Sequence, residues 1–152
     1  MSDPIAFEDT TPRFDLPLLF AGQAQKEFTV NEALLRADLA IQCVVEDERD
    51  DPPPAPEPGQ AWLVGDAPNG AFSGHAAAIA GWTAAGWRFV AATTGLRMFD
   101  KTARCFRHYD AAWRSPALPA APNGGATIDV EARAALAELL ERLAEAGIFA
   151  GG

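Results

Sequence analysis

The change in hydrophobic period across a run of prolines constrains this chain more than any other feature. Before Glu46 the apolar residues recur at helical spacing. After Gln60 they fall into short alternating runs. Beyond the Pro/Ala/Gly-rich stretch from Ser115 to Ala126, helical spacing returns. A helical period cannot be satisfied by a strand, nor a two-residue period by a helix. Helical and strand patterns here come in blocks rather than in alternation, which predicts an α+β fold. The expected parts are an N-terminal arm and helix, a small antiparallel β-meander and a C-terminal helix. Three segments follow: an arm and docking segment over 1–28, a helix with a β-domain over 29–115, and a linker with a final helix over 116–152.

In the first block, Thr29 precedes Glu32 by three residues, the spacing of a capping box. Val30, Leu34, Ala37 and Ile41 then follow at steps of 4, 3 and 4, with Leu35 and Leu39 beside them. This predicts a helix from Val30 to Gln42. Ala21 to Phe28 can add a preceding turn, because Gln23 to Glu27 are good helix formers. Met1 to Asp15 has prolines and no helical period, so it reads as an extended arm. Phe7 and Phe14 are the apolar points that such an arm could dock into a neighbour, although a terminal arm without a partner reads equally well as disordered. The acidic cluster Glu46 to Asp51 and the run Pro52 to Pro58 read as a stiff, solvated connection.

The period-two block predicts strands over Ala61–Val64, His75–Trp82, Trp87–Ala91, Leu96–Phe99, Ala103–Tyr109 and Ala112–Arg114. Ala84-Ala85-Gly86 and Asp100-Lys101-Thr102 are hairpin turns in this reading. The last helix is expected from Asp129 to Ala146, with Asp129 as its cap and Gly147 as its stop. Ala132, Leu136, Leu139, Leu143 and Ala146 form a heptad seam, flanked by Leu140. Such a stripe packs either on the chain's own sheet or around a symmetry axis.

Charge and chemistry exclude several classes. The 152 residues carry a net charge of −9. Residues 1–60 hold 13 acidic and 4 basic side chains, whereas 61–126 hold 3 acidic and 6 basic ones and all four tryptophans. An acidic chain repels nucleic acid as a whole, so no nucleic-acid partner is expected. Cys43 and Cys105 are too few for a disulfide framework and read as small core residues or thiols. The N-terminus lacks the basic and apolar regions of a signal peptide, and no stretch is apolar enough to span a bilayer, so no membrane partner is expected. His75 and His108 lack metal-ligand spacing. Cys105 and His108 fall on opposite faces of a predicted strand. Asn69-Gly70 and Ser73-Gly74 look like turns rather than a phosphate cradle. Asp66, Asp100 and Asp110, the carboxylates a glycan hydrolase could use, all lie in predicted turns. The expectation is a protein without catalytic residues, cofactor or metal. The middle third interleaves aromatic residues with arginines, and Trp82, Trp87, Arg88, Tyr109 and Trp113 are candidate glycan contacts through stacking and charge. The alternative is that the tryptophans are core and the arginines mark the solvated face.

The run from Thr11 to Leu34, TPRFDLPLLFAGQAQKEFTVNEAL, resembles the opening signature of a family of proteins of unknown function found in prophages and gene transfer agents. Pro58-Gly59-Gln60, Gly70 to His75, Gly86 to Phe89, Asp110 to Trp113 and Ile128 to Ala135 are similar to later parts of that family, so the resemblance covers nearly the whole chain. It implies a structural spike or fibre component of a virion-like particle, assembled in the cytoplasm and released by lysis. Some relatives carry an additional C-terminal β-rich domain suited to receptor binding, whereas this chain stops at Gly152. The expectation is therefore a head spike base or adaptor, homo-oligomeric as a pentamer or trimer, joining a capsid or tail protein to a separate fibre. The alternative is an adhesin contacting host polysaccharide. Candidate assembly contacts are Phe14, Leu16, Gln23, Gln25, Lys26, Asn31, Leu136, Leu139 and Leu143. Gln23 and Gln25 offer donors and acceptors without burying charge.

Overall fold

The computed structural model describes residues 9–20, 22, 26–125 and 128–150. It has the α+β architecture expected from the change of period, and the chain divides into two compact units, one reaching to Ala92 and one starting at Thr93.

The first unit is built on helix α1 (Lys26–Ile41), two-residue strands β1 (Val44–Val45) and β2 (Glu48–Arg49), and strands β3 (Ala61–Val64), β4 (Ile79–Thr83) and β5 (Gly86–Val90), with a short 3-10 turn over Gly70–Phe72. Its sheet has the order β2-β3-β4-β5. The β2–β3 pair is parallel and the others are antiparallel. All four residues of β3 are buried because both sheet faces are covered. On one face Trp62, Val64 and Ala80 form a core with Phe72 from the 3-10 turn, and Trp82, Trp87 and Phe89 pack against it. On the other face lies α1. Leu39 reaches so close to Gly81 that a Cβ there would overlap the Leu39 side chain. A glycine in mid-strand is costly, and this one is explained by close approach.

Several expectations need correction in this unit, among them the strand expected from His75, which starts at Ile79 after a turn. Helix α1 begins at Lys26, so Thr29 lies inside it and forms no cap. Its first turn instead carries Glu27, whose Oε1 accepts the Gly22 N–H at 3.2 Å, while Glu32 is drawn to Arg36 at 2.9 Å and Arg88 at 2.5 Å. The inward face is also rotated. Leu35 and Leu39, expected at the edge of the stripe, are buried with Asp38, whereas Val30 and Ile41 from its centre are 40% and 62% exposed. The offset is one residue, about 100° of helix. Residues 9–18 are not an extended arm: Thr10 bridges Pro17, the Thr11 N–H donates to the Leu16 carbonyl at 2.9 Å, and Leu18 N–H donates to the Asp9 carbonyl at 3.0 Å. Finally, the acidic cluster is not simply a loop. It contains β2, whose pairing uses backbone groups (Leu63 N–H to the Asp47 carbonyl, 3.0 Å) while Glu48 stays exposed.

The second unit is an antiparallel meander of β6 (Arg97–Asp100), β7 (Cys105–Asp110) and β8 (Ala112–Arg114), followed by helix α2 (Val130–Glu145). The β6–β7 turn is held by Asp100, which accepts the Ala103 N–H at 2.9 Å and pairs with Arg107 at 2.7 Å. Helix α2 starts on Asp129, whose side chain accepts the Ala132 N–H at 2.8 Å, and it ends before Gly147 at φ +73. Both ends match the sequence reading, because a cap and a left-handed stop are local chemistry.

Candidate functional site

The described residues of the signature segment make several hydrogen bonds within the chain. The Asp38 carboxylate accepts the Thr11 hydroxyl at 2.6 Å and the backbone N–H groups of Arg13 and Phe14 at 3.1 and 2.8 Å. The Arg13 guanidinium donates to the carbonyls of Leu39 and Gln42, at 3.2 and 2.7 Å, and so closes the end of α1. Asn31 accepts the Leu19 N–H at 2.8 Å and donates to the Leu19 carbonyl at 3.0 Å. Among the proposed assembly contacts, Asn31 is therefore engaged internally, and the half-buried Leu16 donates its N–H to the Thr11 hydroxyl at 3.1 Å. Phe14 and Lys26 present side chains to solvent. Gln23 and Gln25 lie outside the described residues. The sequence reading missed Asp38. Its signal is an acid between Leu35 and Leu39 on the buried stripe.

The C-terminal seam is laid out differently. Helix α2 has no buried residue. Leu136 and Leu139 are 48% and 53% exposed, and Leu140 and Leu143 are half-buried. The helix is tethered at its C-terminal end, where the Phe106 N–H donates to the Gly147 carbonyl at 2.7 Å. Phe99 and Phe106 crowd the space above Gly147, leaving no room for a larger residue without adjustment. At the other end Arg133 reaches the carbonyls of Pro122 and Gly124. With Leu136 and Leu143 in one heptad position and Leu139 in the other, Glu131, Glu138, Glu141 and Glu145 all lie off the seam. The structure leaves Leu136 and Leu139 of this stripe about half exposed.

The aromatic candidates divide. Trp82 and Trp87 pack at 5.0 Å between ring centres, and Trp87 also meets Trp62 and Phe72 at 5.6 and 5.0 Å. They form the margin of the sheet core. Arg88 donates to the carbonyls of Trp87 and Ala85 and pairs with Glu32. Tyr109 and Trp113 pair edge to face at 5.4 Å on β7 and β8, half-buried. The same meander carries a feature the sequence reading missed. Arg97, His108 and Arg114 are register partners across β6, β7 and β8 and are all exposed, so they form one transverse basic row. The Arg97 guanidinium lies 5.5 Å from the Phe106 ring centre. The signal was pairing register, which periodicity alone does not supply. Cys105 and His108 project to opposite faces of β7, Cys105 buried and His108 exposed. Burial pushes the Cys105 thiol up; Asp100 adds to the shift, against Arg107 and a hydrogen bond from Ser115.

Among the described residues no group of His, Cys, Asp and Glu side chains is placed to hold a metal ion, and no helix is long and apolar enough to cross a membrane. The described geometry defines a small α+β protein with an aromatic-cored sheet and a terminal helix bearing an open seam. A family model described as a protein of unknown function (DUF2793) matches residues 30–114, and the chain belongs to that family. No curated protein and no solved structure matches it.

Proposed function

We propose that this protein is a non-catalytic structural component of a phage-like particle of the prophage or gene transfer agent type, a spike or fibre base that assembles with copies of itself. In this reading it joins a capsid or tail protein to a separate fibre and is released with the particle on lysis. The observation that carries the reading is the exposed leucine seam of α2. A helix with this pattern gains stability by associating, because covering a half-exposed leucine contributes about 1 kcal/mol. Copies of one chain present the same seam to one another, as symmetric assemblies require. The resemblance of the signature segment supplies the particle context. Deleting the gene and imaging the particles tests it: particles lacking an appendage are expected, and particles with all appendages in place would overturn it.

A second reading, an adhesin for host polysaccharide, is favoured by the meander, whose exposed basic row Arg97–His108–Arg114 lies on the sheet face opposite to the half-buried Tyr109–Trp113 pair. Its test is the tryptophan emission of the protein during titration with an acidic oligosaccharide. An emission spectrum unchanged at millimolar sugar removes this reading.

A further inference from the structure

A groove of about 750 Å3 opens beside the start of α1, lined by Leu18, Leu19, Glu27, Phe28, Glu32 and Arg88 among others. One lining side chain is in an unusual state. Glu27 is only 8% exposed, and its Oε2 is enclosed with no hydrogen-bond partner, while Oε1 accepts the Gly22 N–H. A buried carboxylate oxygen without a donor is costly and is normally satisfied. Two other polar side chains of the groove are engaged. Asn31 uses both ends of its amide on Leu19, and Arg88 lies against Glu32.

We propose that this groove receives a lysine or arginine side chain, next to an apolar residue, from a partner polypeptide, with Glu27 as the acceptor. Charge selects the occupant. Among the described residues Asp9, Glu27 and Glu32 line the groove with Arg88, and Arg36 also pairs with Glu32; three carboxylates against two cations leave the site net negative, so an anion is repelled and a cation is attracted. The walls select the stem, since the aliphatic part of a lysine or arginine can lie along Leu18, Leu19 and Phe28 while its head reaches a carboxylate. The shape selects a polypeptide. The groove is open to solvent along one side, and Phe28 at its lip is 74% exposed, an apolar foothold for the neighbouring residue. Glu27 and Phe28 are adjacent in the signature segment, so this inference gives that segment an outward role besides its internal bonds. It does not depend on the seam of α2 or on the particle reading.

The test is amide NMR of the full chain during titration with acetyl-Leu-Lys-Leu-amide, with acetyl-Leu-norleucine-Leu-amide as the uncharged control. The lysine peptide is expected to shift the signals of Glu27, Phe28 and Arg88 with half-saturation at about 1 mM. The norleucine peptide is expected to bind about tenfold more weakly. Glu27→Gln, which keeps the acceptor for Gly22, is expected to reduce the lysine peptide to the norleucine level, and its own spectrum reports whether it folds. Equal binding of the two peptides by the unmodified protein overturns the proposal. So does the absence of shifts at these residues at about 10 mM peptide, or undiminished lysine binding by a folded Glu27→Gln variant.

Discussion

Asp38 lies on the inward face of α1 at 1% exposure, where a carboxylate is tolerated because three donors converge on it. Removing it leaves a buried hydroxyl and two backbone N–H groups without an acceptor. Asp38→Ala is expected to lower unfolding stability by about 3 kcal/mol, and Thr11→Val by about 1 kcal/mol. Urea denaturation of the three proteins checks this, and equal midpoints would remove the role given to Asp38. Cys43 supplies a pH-dependent counterpart. Burial pushes its thiol up to about 11 from 9.0, against a smaller opposing effect of Arg13. The folded state therefore holds this proton more tightly than the unfolded chain. Its contribution is fully present below pH 9 and is lost as the pH rises from about 9 to 11. Stability measured across that window should fall more steeply for the unmodified protein than for Cys43→Ala.

At the scale of elements, the decisive contact is α1 on β4. Leu39 occupies the space a side chain at position 81 would need. Gly81→Ala should push the helix off the sheet and cost about 3 kcal/mol. Adding Leu39→Ala should make the second change less costly than it is alone. A double-mutant cycle by thermal unfolding reads the coupling, and simple additivity would mean that the two residues do not compete for one space. The same contact explains why the face of α1 was only partly legible in sequence. Val30, Leu34, Ala37 and Ile41 form a correct helical period, and that period correctly announces a helix. Which side turns inward is decided by what it meets, and Gly81 lies far along the chain. Strand β2 was hidden for a similar reason, since its parallel pairing is made by backbone groups that leave no mark in an acidic stretch.

For the whole molecule, the open question is what covers α2. Leu136 and Leu139 are only half covered within a single chain, so Leu136→Lys with Leu139→Lys should change monomer stability by no more than about 1 kcal/mol. In the assembly reading, light scattering should find a multimer for the unmodified protein and a monomer for the variant. An unmodified protein that stays monomeric at high concentration would count against the assembly reading. The division at Ala92 belongs to this scale too. No proline run or composition change marks it, because the alternating pattern passes through Ala91 and Ala92 into the next hairpin.

Where structure is written in neighbouring residues, the sequence by itself was sufficient. The change of period placed helices and strands in the right order, Ala61–Val64 and Ala112–Arg114 were bounded correctly, and Asp129 and Gly147 mark the ends of α2. These signals are local: a cap, a left-handed glycine, an alternation. The tertiary structure alone decided the fold-back of residues 9–18, the burial of Asp38, the enclosure of Glu27 and the basic row Arg97–His108–Arg114. Each depends on residues distant in the chain meeting with a particular register or face, and a one-dimensional pattern does not contain that information. The described residues of Thr11 to Asp38, chemically the most distinctive stretch of the sequence, therefore form a clasp holding hairpin to helix, with the buried Glu27 next to the exposed Phe28 at the groove.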